Sequence, residues 1–473
     1  MTRALRDPLS AHRTVAVFGL GSAGAAAVKL LVALGKEVVA SDAKAPAKPH
    51  AALPGVRYSY GANELGEATA VVLSPGLNPS WPENRDNPTL QPVWAKWAAG
   101  EVEVWSEIEL AAACFDGPVL SIGGTDGKST TAALCAHLLK GWGIDACLAG
   151  NSWLPFSHYL ADGLRPEVAV LEVSAFQLWP GHRFHAPVSI LTNIAPDHLD
   201  HFEKEQDYID AKREVFVHQG AGDTAVLFAD DARLQGWRPA LQAAGVKVLG
   251  YGLEGVPDGF DGEAKLSAEG HFAVQGVEAS MGLPAVDDLM ILGSHNHKNV
   301  LAAMLACGSL AMGRERATPE ATRRALQSFG GLPHRVELIR KLRGVRYVND
   351  SKATNVHASV AGLRSLAARL VVITGGVDKN LELDPILVEL ETRARHVVVI
   401  GQIADRFVAE ATGRLGSLER ASTMEEAVAM AAAAAQEGDV VLLSPACSSF
   451  DMFRGFEHRG DVFAAAVRAL PEG

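Results

Sequence analysis

The chain has few cysteines, no excess of basic residues and no long apolar run. Its five cysteines lack Cys-x-x-Cys spacing, which argues against a zinc site and against a disulfide framework. A formal net charge of −12 argues against a nucleic-acid partner, which would favour a basic surface stripe. No apolar stretch is long enough to cross a bilayer, and residues 1–14 lack the apolar core of a secretion signal. We therefore expect a cytoplasmic protein that binds neither nucleic acid nor a membrane. A monomer is also expected, although none of these features determines the oligomeric state.

What the chain does contain is three stretches in which apolar runs alternate with helical patterns. A length of 473 residues is too great for one hydrophobic core, so two or three domains are expected. The alternation predicts an α/β protein with a mostly parallel sheet in each stretch. The predicted strands cover residues 14–18, 37–41, 70–74, 118–122, 144–149, 168–173, 188–192, 225–228, 246–251, 345–348, 370–374, 396–400 and 440–444. Residues 77–92 are predicted to be an irregular loop, 253–290 a small antiparallel excursion, and 296–311 and 319–328 two helices.

The most informative motif is the run Gly-Gly-Thr-Asp-Gly-Lys-Ser-Thr-Thr at residues 123–131, between a predicted strand and a predicted helix. Backbone N–H groups and the positive end of a helix dipole converge on one anion in such a loop. Lys128 can reach the outer phosphates, and the Ser129 hydroxyl can hold Mg²⁺. The strict pattern requires glycine six residues before the lysine, where this chain has Ile122, so the loop is a shortened relative. A Gly-Lys-Ser sequence alone could be a chance turn, but its position between a predicted strand and a predicted helix favours nucleotide binding.

A second glycine motif, Gly19-x-Gly21-x-x-Gly24, also lies between a strand and a helix, with Asp42 at the end of the next strand. The pattern is typical of NAD sites, in which the acid binds a ribose hydroxyl. Two other interpretations stay open: a tight turn with close helix packing, or a nucleotide diphosphate other than NAD. A dehydrogenase needs no second site of ATP type. The loop at residues 123–131, called the phosphate loop below, therefore favours a nucleotide diphosphate over NAD at this motif.

Acidic and histidine side chains follow two central strands. Glu172 closes one strand, and His198 follows the next within residues 192–201. A carboxylate and a histidine can complete the shell of a Mg²⁺ that bridges nucleotide phosphates. Their structural alternatives are a solvated acid at a strand end and a loop histidine satisfied by neighbouring aspartates. Lys212 by itself indicates only a charged helix face.

Together, these motifs resemble those of the Mur ligases over nearly the whole chain. Residues 124–130, 172–178 and 192–200 are similar to segments that several amide ligases share. Residues 331–335, 349–355 and 444–451, with 73–76 and 106–109 nearer the front, are similar to the branch that adds D-glutamate.

The resemblance implies an ATP-dependent ligase that joins D-glutamate to UDP-N-acetylmuramoyl-L-alanine through an acyl phosphate, in peptidoglycan precursor synthesis. It implies a Rossmann-like domain for the UDP substrate (1–112), a P-loop ATPase (113–331) and a Rossmann-like domain for the amino acid (332–473). ATP would contact Gly124, Thr125, Asp126, Gly127, Lys128, Ser129, Thr130, Asn296, Arg335 and Asp350. The UDP substrate would contact Ser22, Asp42, Gly76 and Asn151. Glutamate would contact Lys352, Thr354, Lys379, Ser449 and Phe456. Two Mg²⁺ ions would be held by Ser129, Glu172, His198 and a carbamate on Lys212, and the catalytic residues would be Lys128, His198 and Lys212.

The chain departs from the family pattern at four places. Asp126 stands where Asn or Ser is common, and Gly123 where Thr is usual. The acid Asp42 is followed by Ala43 and Lys44, without the hydroxyl residue often found there, and the loop at 77–99 is longer than usual. The alternatives are another Mur-type or folylpolyglutamate-type ligase, an NAD-dependent oxidoreductase built on residues 19–24, and a non-enzymatic nucleotide switch. The last would leave Glu172 and His198 without a purpose.

Overall fold

The computed structural model describes residues 5–46, 50–77, 82–178, 183–195, 202, 204–279 and 281–472. Its chain divides into two compact units. Unit 1 comprises Met1–Leu283 and Lys298–Ala325, and unit 2 comprises Pro284–His297 and Leu326–Gly473. Among the described residues, no helix combines the length and the apolar character that a membrane span requires.

The first sheet is parallel throughout and lies in unit 1. Its strand order is β3-β2-β1-β4-β5. The strands are β1 Thr14–Phe18, β2 Glu37–Asp42, β3 Val56–Tyr60, β4 Ala70–Leu73 and β5 Glu103–Ser106. The chain order reverses between β1 and β4, and ligands of open α/β sheets bind at the carboxyl ends of the strands at such a switch point.

The second sheet also lies in unit 1 and has eight strands in the order β13-β12-β11-β10-β9-β6-β8-β7. They are β6 Val119–Gly123, β7 Ala146–Gly150, β8 Val168–Glu172, β9 Val188–Leu191, β10 Thr224–Phe228, β11 Lys247–Tyr251, β12 Gly262–Leu266 and β13 Phe272–Gln275. All neighbouring strands are parallel except β12 and β13, so the antiparallel excursion predicted within 253–290 is confirmed.

The third sheet lies in unit 2, with the order β14-β15-β19-β16-β17-β18. Its strands are β14 Glu337–Leu342, β15 Val345–Asn349, β16 Leu370–Gly375, β17 Ala394–Ile400, β18 Leu418–Arg420 and β19 Val440–Leu443. Only the edge hairpin of β14 and β15 is antiparallel. The central strands β16 and β19 are apolar and fully buried because parallel sheets are covered on both faces. The prediction of three mostly parallel sheets is thus confirmed.

Helices cover these sheets. They are α1 Ser22–Ala33, α2 Pro82–Arg85, α3 Gln91–Ala98, α4 Glu107–Cys114, α5 Lys128–Gly141, α6 Phe156–Ala161, α7 Glu205–Arg213, α8 Ala232–Ala243, α9 Ser294–Ser309, α10 Ala311–Arg316, α11 Pro319–Ser328, α12 Val356–Ser365, α13 Asp384–Arg393, α14 Ala404–Ala411, α15 Met424–Ala434 and α16 Phe456–Arg468. Within unit 1, α1 and α4 pack on α6, so the first and second sheets share one hydrophobic core.

The prediction of an irregular loop over 77–92 is wrong in part, because α2 and the start of α3 lie inside it. Pro92 stands in the first turn of α3, where the missing N–H of proline costs nothing and its fixed φ suits the helix. Trp94 and Trp97 contact each other edge to face, and Trp94 Nε1 donates to the carbonyl of Asn84 at 3.2 Å. The proline and tryptophan content that indicated a loop therefore belongs partly to a small packed helix.

Candidate active site

The phosphate loop leaves the buried end of β6 and enters α5 at Lys128. Two of its glycines have left-handed backbones, with φ of 130° at Gly124 and 82° at Gly127. A Cβ on Gly124 would lie 1.9 Å from Thr192 Oγ1, so only glycine fits there. Lys128 folds back across the loop and donates from Nζ to the carbonyl of Thr125 at 2.7 Å. The loop thus has the strand-to-helix geometry that binds phosphate.

Residues that follow β9 hold the loop in this shape. Asn193 Oδ1 accepts from the backbone N–H of Asp126 at 2.9 Å and of Thr125 at 3.2 Å. The Thr192 hydroxyl donates to the carbonyl of Asp126 at 2.5 Å. These contacts fix two successive peptide groups of the loop through side chains almost seventy residues away, and neither role is visible in the sequence.

The helix α7 brings Tyr208 and Lys212 against the same loop. The Tyr208 hydroxyl lies 3.1 Å from Thr125 Oγ1, and Lys212 Nζ donates to the carbonyl of Gly124 at 2.6 Å. Lys212 is only 4% exposed, and its Nζ lies 4.3 Å from the centre of the Tyr208 ring. The interpretation of Lys212 as only part of a charged helix face is therefore wrong, because this lysine lies on the buried side of α7 and contacts the loop.

Glu172 forms the centre of a polar network beside the loop. Its buried carboxylate accepts from Asn151 Nδ2 at 3.1 Å, Ser152 Oγ at 2.8 Å and Trp153 Nε1 at 3.0 Å. The Ser129 hydroxyl in turn donates to Ser152 Oγ at 3.2 Å. The alternative of a solvated strand-end acid is therefore excluded for Glu172. Oxygen donors of a carboxylate and two hydroxyls suit Mg²⁺, so the described residues fit that ion.

His198 lies outside the described residues, as do residues 196–201 around it. Its predicted metal and catalytic roles remain predictions. Within the part of the chain that the structure describes, no group of three His, Cys, Asp or Glu side chains stands close enough together to hold a metal ion.

Asn299 is a further residue at the loop that the sequence analysis missed. Thr131 Oγ1 donates to Asn299 Oδ1 at 3.1 Å, and a Cβ on Gly127 would lie 2.7 Å from that oxygen. The sequence contained a signal for Asn299, because this second asparagine follows the predicted ATP residue Asn296 by about one helical turn. Asn296 itself belongs to unit 2, where its Nδ2 donates to the carbonyl of Leu292 at 2.8 Å.

The glycine motif of the first sheet surrounds the end of β1. Asp42 accepts from the N–H of Leu20 at 2.7 Å and of Lys44 at 2.9 Å, which orients its carboxylate toward the glycine loop. A Cβ on Gly24 would lie 1.8 Å from the carbonyl of Gly19, so close helix packing contributes to this motif. Ser22 opens α1, and Gly76 follows β4, where its carbonyl accepts from Asn84 Nδ2 at 2.9 Å. Ser22, Asp42 and Gly76 thus share one edge of the first sheet, whereas Asn151 contacts Glu172.

In unit 2, the predicted residues lie at the carboxyl ends of β15, β16 and β19. Asp350 follows β15 and accepts from the N–H of Val336 at 3.3 Å and from Ser444 Oγ at 3.2 Å. Lys352 Nζ lies 5.8 Å from the centre of the Phe456 ring. Thr354 also follows β15, the exposed Lys379 lies in the loop after β16 and the buried Ser449 follows β19, whereas Arg335 precedes β14.

Arg459 connects these segments of unit 2, and no sequence signal identified it. It is fully buried and donates to Ser351 Oγ at 3.0 Å, the carbonyl of Ser351 at 2.9 Å and the carbonyl of Cys447 at 3.0 Å. Ser351 Oγ donates to the carbonyl of Phe456 at 2.8 Å. Burial lowers the pKa of the Arg459 guanidinium to about 10. One buried cation thereby fixes the loops that carry Lys352, Ser449 and Phe456.

Comparison with known proteins identifies the family. Residues 122–307 match the Mur ligase middle domain, and residues 334–447 match the Mur ligase glutamate ligase domain. A UDP-N-acetylmuramoylalanine–D-glutamate ligase of Salinibacter ruber is 37% identical over 98% of this chain and 99% of its own length. The chain belongs to the Mur ligase family. The same enzyme of Chlorobium chlorochromatii is 35% identical over 97% of this chain and 99% of its own length.

Solved Mur ligases share the fold at low sequence identity. A UDP-N-acetylmuramoyl-L-alanyl-D-glutamate–2,6-diaminopimelate ligase gives a TM-score of 0.57 at 18% identity and covers 85% of this chain and 92% of its own. The UDP-N-acetylmuramate–alanine ligase of Thermotoga maritima gives 0.51 at 16% identity, with coverages of 96% and 99%. A mixed α/β architecture with three sheets dominated by parallel strands is therefore that of the Mur ligases.

Asp350 of this Mur ligase gives a testable pH dependence. Burial raises the pKa of its carboxyl from 3.8 to about 7, opposed by the hydrogen bonds from Val336 and Ser444 and by the charge of Arg335. The folded state therefore keeps a proton that the unfolded state releases near pH 4, so the free energy of unfolding should fall as pH rises toward 7 and level off above it. Relative to Asp350→Asn, wild type should lose roughly 3 kcal/mol between pH 5 and pH 8 in urea unfolding. If the free energies of unfolding of the two proteins changed with pH in the same way, the Asp350 carboxyl would have its ordinary pKa and the prediction would be wrong.

Proposed function

We propose that this Mur ligase joins D-glutamate to UDP-N-acetylmuramoyl-L-alanine, with ATP as the energy source. The proposal rests on the phosphate-binding cradle around Lys128, which consists of the phosphate loop and the side chains that contact it. Lys212 donates to the loop, and a hydrogen-bond network joins Glu172 through Ser152 to Ser129 at the end of the loop. The choice of glutamate is supported by relatives named for that reaction, which match almost the full length of the chain. ATP and UDP-linked substrates also agree with a cytoplasmic location, which stays a prediction, as does the monomeric state.

The chemistry explains why such a cradle is needed. A free carboxylate is a poor electrophile, and phosphorylation by ATP converts it into an acyl phosphate with a good leaving group. The first step brings a carboxylate toward a γ-phosphate that is itself negative, so positive charge must offset the repulsion. Lys128 and the loop N–H groups supply part of that charge, and bound Mg²⁺ would supply the rest through Ser129 and Glu172. The neutral amine of glutamate then attacks the acyl carbon, the bond from that carbon to the phosphate oxygen breaks, phosphate leaves and the nitrogen gives up one proton.

Each of the three predicted domains is proposed to bind one of the three substrates of this reaction. We assign residues 1–112 to a Rossmann-like domain for the UDP substrate, 113–331 to a P-loop ATPase and 332–473 to a Rossmann-like domain for the amino acid. Ser22, Asp42, Gly76 and Asn151 would contact the UDP-sugar part of the substrate. Lys352 and Lys379 would bind the two carboxylates of glutamate as point charges. Thr354, Ser449 and Phe456 would complete that pocket, and Arg335, Asp350 and Asn296 would contact ATP.

Lys212 is proposed to carry a carbamate. Its neutral amine would attack CO₂, form one N–C bond and release one proton, which leaves an anion that suits a second Mg²⁺. The carbamate nitrogen keeps one hydrogen, so the hydrogen bond from Lys212 Nζ to the carbonyl of Gly124 is compatible with the modification.

Removal of bicarbonate should lower activity and abolish a mass gain of one CO₂ on the peptide that contains Lys212. Full activity with an unmodified lysine in native mass spectrometry would refute the role, and Lys204→Arg, a change at the N-cap of the same helix, serves as the control.

The decisive experiment measures phosphate release from ATP across a panel of amino acids, with UDP-N-acetylmuramoyl-L-alanine present. We expect release that depends on D-glutamate and on Mg²⁺, with the ligated product visible by mass. Release with alanine or with a folate acceptor instead would indicate another ligase of the same architecture. A change in nicotinamide absorbance without phosphate release would indicate an oxidoreductase built on residues 19–24.

A further inference from the structure

Arg406, on α14 of unit 2, holds the loop that follows β16 with its guanidinium. Its Nε and Nη2 donate to the two carboxylate oxygens of Asp378 at 2.9 and 2.8 Å, which makes a bidentate pair. Nη1 and Nη2 both donate to the carbonyl of Leu381 at 3.1 Å, and Nη1 also donates to Glu410 Oε1 at 2.9 Å. A guanidinium has five N–H donors, so these contacts use all of them.

The pair of Arg406 and Asp378 differs from an ordinary surface ion pair. Exposed pairs contribute little as a rule, because two long side chains must be ordered in water. Here only 30% of the arginine side chain and 21% of the aspartate side chain are exposed, and the bidentate geometry fixes their mutual orientation. The hydrogen bonds from Arg406 lower the pKa of the Asp378 carboxyl, which keeps it ionised. The pair is therefore a fixed contact between α14 and the loop.

The loop after β16 carries Lys379 between the two residues that Arg406 contacts. Asp378 precedes this lysine and Leu381 follows it by two residues. Asn380 has a left-handed backbone with φ of 55°, and its N–H donates to Asp378 Oδ1 at 2.9 Å, which closes a tight turn around Lys379. The Lys379 side chain is exposed, and among the described residues it makes no hydrogen bond or ion pair. The backbone is thus held while the ammonium stays available to a ligand.

The turn before α14 is itself fixed beside the predicted glutamate pocket. The N–H of Gln402 donates to Asp451 Oδ2 at 2.9 Å, two residues beyond Ser449. Gln402 Oε1 accepts from the N–H of Asp378 at 3.3 Å. The helix that carries Arg406 is therefore attached to two of the segments that supply the predicted glutamate contacts, and it gives the loop after β16 a fixed support.

We propose that Arg406 is a positioning residue for glutamate binding, which holds the loop after β16 so that Lys379 meets a carboxylate of the substrate. The inference rests on the proposed function, because that function assigns Lys379 to the glutamate pocket. A lysine has a flexible four-carbon stem, which loses conformational freedom when it binds a carboxylate. Where Arg406 has already fixed the backbone, only the side chain must be ordered, so the cost of binding is lower. Arg406 therefore acts on the affinity for glutamate and not on the chemical step.

The test measures steady-state phosphate release with D-glutamate varied and both other substrates saturating. Arg406→Met keeps an apolar stem but removes the guanidinium, and it should raise the KM for D-glutamate about tenfold. The kcat and the KM for ATP should stay unchanged, because the variant removes binding that is equal in the ground state and the transition state. Arg406→Lys keeps a charge without the bidentate fork and should recover only part of the affinity.

A second arginine of unit 2 supplies a matched control. The Arg414 side chain is 31% exposed and, like Arg406, pairs with two acids, Asp384 at 2.8 Å and Glu391. Both acids belong to α13, so this arginine does not hold the loop after β16. Arg414→Met should therefore leave the KM for D-glutamate unchanged. An equal rise in Arg414→Met would show a general effect on unit 2 and overturn the inference.

A double variant shows whether Arg406 acts through Lys379. Lys379→Met should raise the KM for D-glutamate more than Arg406→Met does, and combining the two should raise it no further, because coupled residues are not additive. A further rise in the double variant, equal to that of Arg406→Met alone, would overturn the inference, as would an unchanged KM in Arg406→Met. Both results leave the proposed function intact. Absence of phosphate release that depends on D-glutamate in the wild-type protein would instead overturn the proposed function, on which the inference rests.

Discussion

Replacing Lys128 with alanine should lower the turnover of ATP-dependent ligation at least 100-fold, which corresponds to about 3 kcal/mol of transition-state stabilisation. The ammonium lies at the start of α5 and folds over the phosphate loop through its bond to the carbonyl of Thr125. Charge on the γ-phosphate must be offset while a second anion approaches, and the alanine variant lacks one of the cations that do so. Steady-state release of phosphate at saturating substrates measures the effect.

Two controls separate lost charge from a damaged loop. Lys140→Ala removes an exposed lysine from the last turn of the same helix and should retain wild-type turnover. Lys128→Arg keeps a cation but not the compact ammonium, and it should recover only part of the activity. Near-normal ligation by Lys128→Ala would remove the main support for the proposed reaction, since the remaining cradle would then suffice without its lysine.

Continuous apolar runs made the central strands predictable. The fully buried β16 and β19 consist almost entirely of Val, Leu and Ile, which parallel strands covered on both faces require. The edge strands β3 and β18 were missed because half-exposed strands need no such run. The edge strand β14 was missed for the same reason, since it is nowhere fully buried.

The candidate site was predictable where one short motif carries its chemistry. Lys128 and Ser129 open α5 after the phosphate loop, and Glu172 is the last residue of β8, so the sequence predicted where they lie, whereas their phosphate and Mg²⁺ roles remain predictions. Lys212 required the family resemblance, because a lysine on a charged helix gives no sign of which side is buried. Ser152, Asn193 and Asn299 were missed because their roles arise from tertiary hydrogen bonds, which local sequence does not encode.

Gly124→Ala should disable the phosphate loop more completely than the loss of any one of its hydrogen bonds. The new methyl group would lie 1.9 Å from Thr192 Oγ1 and 3.0 Å from the backbone nitrogen of Thr192, and φ of 130° is unfavourable for alanine. Overpacking and backbone strain each cost about 1–3 kcal/mol, so the loop must move away from β9. Because the carbonyl of Gly124 accepts from Lys212, the same movement displaces that lysine. We expect ADP affinity to fall by about 100-fold or more in calorimetry.

A glycine elsewhere in unit 1 isolates the steric effect from backbone strain. Gly143 also has a left-handed backbone, with φ of 74°, but nothing lies within 4 Å of the position of its Cβ. Gly143→Ala should therefore cost only about 1 kcal/mol of stability and leave ADP affinity unchanged. If Gly124→Ala bound ADP as Gly143→Ala does, close contact between the loop and Thr192 would not be required for nucleotide binding. The cradle would then be adaptable, and catalysis would depend on charge alone instead of on a fixed backbone shape.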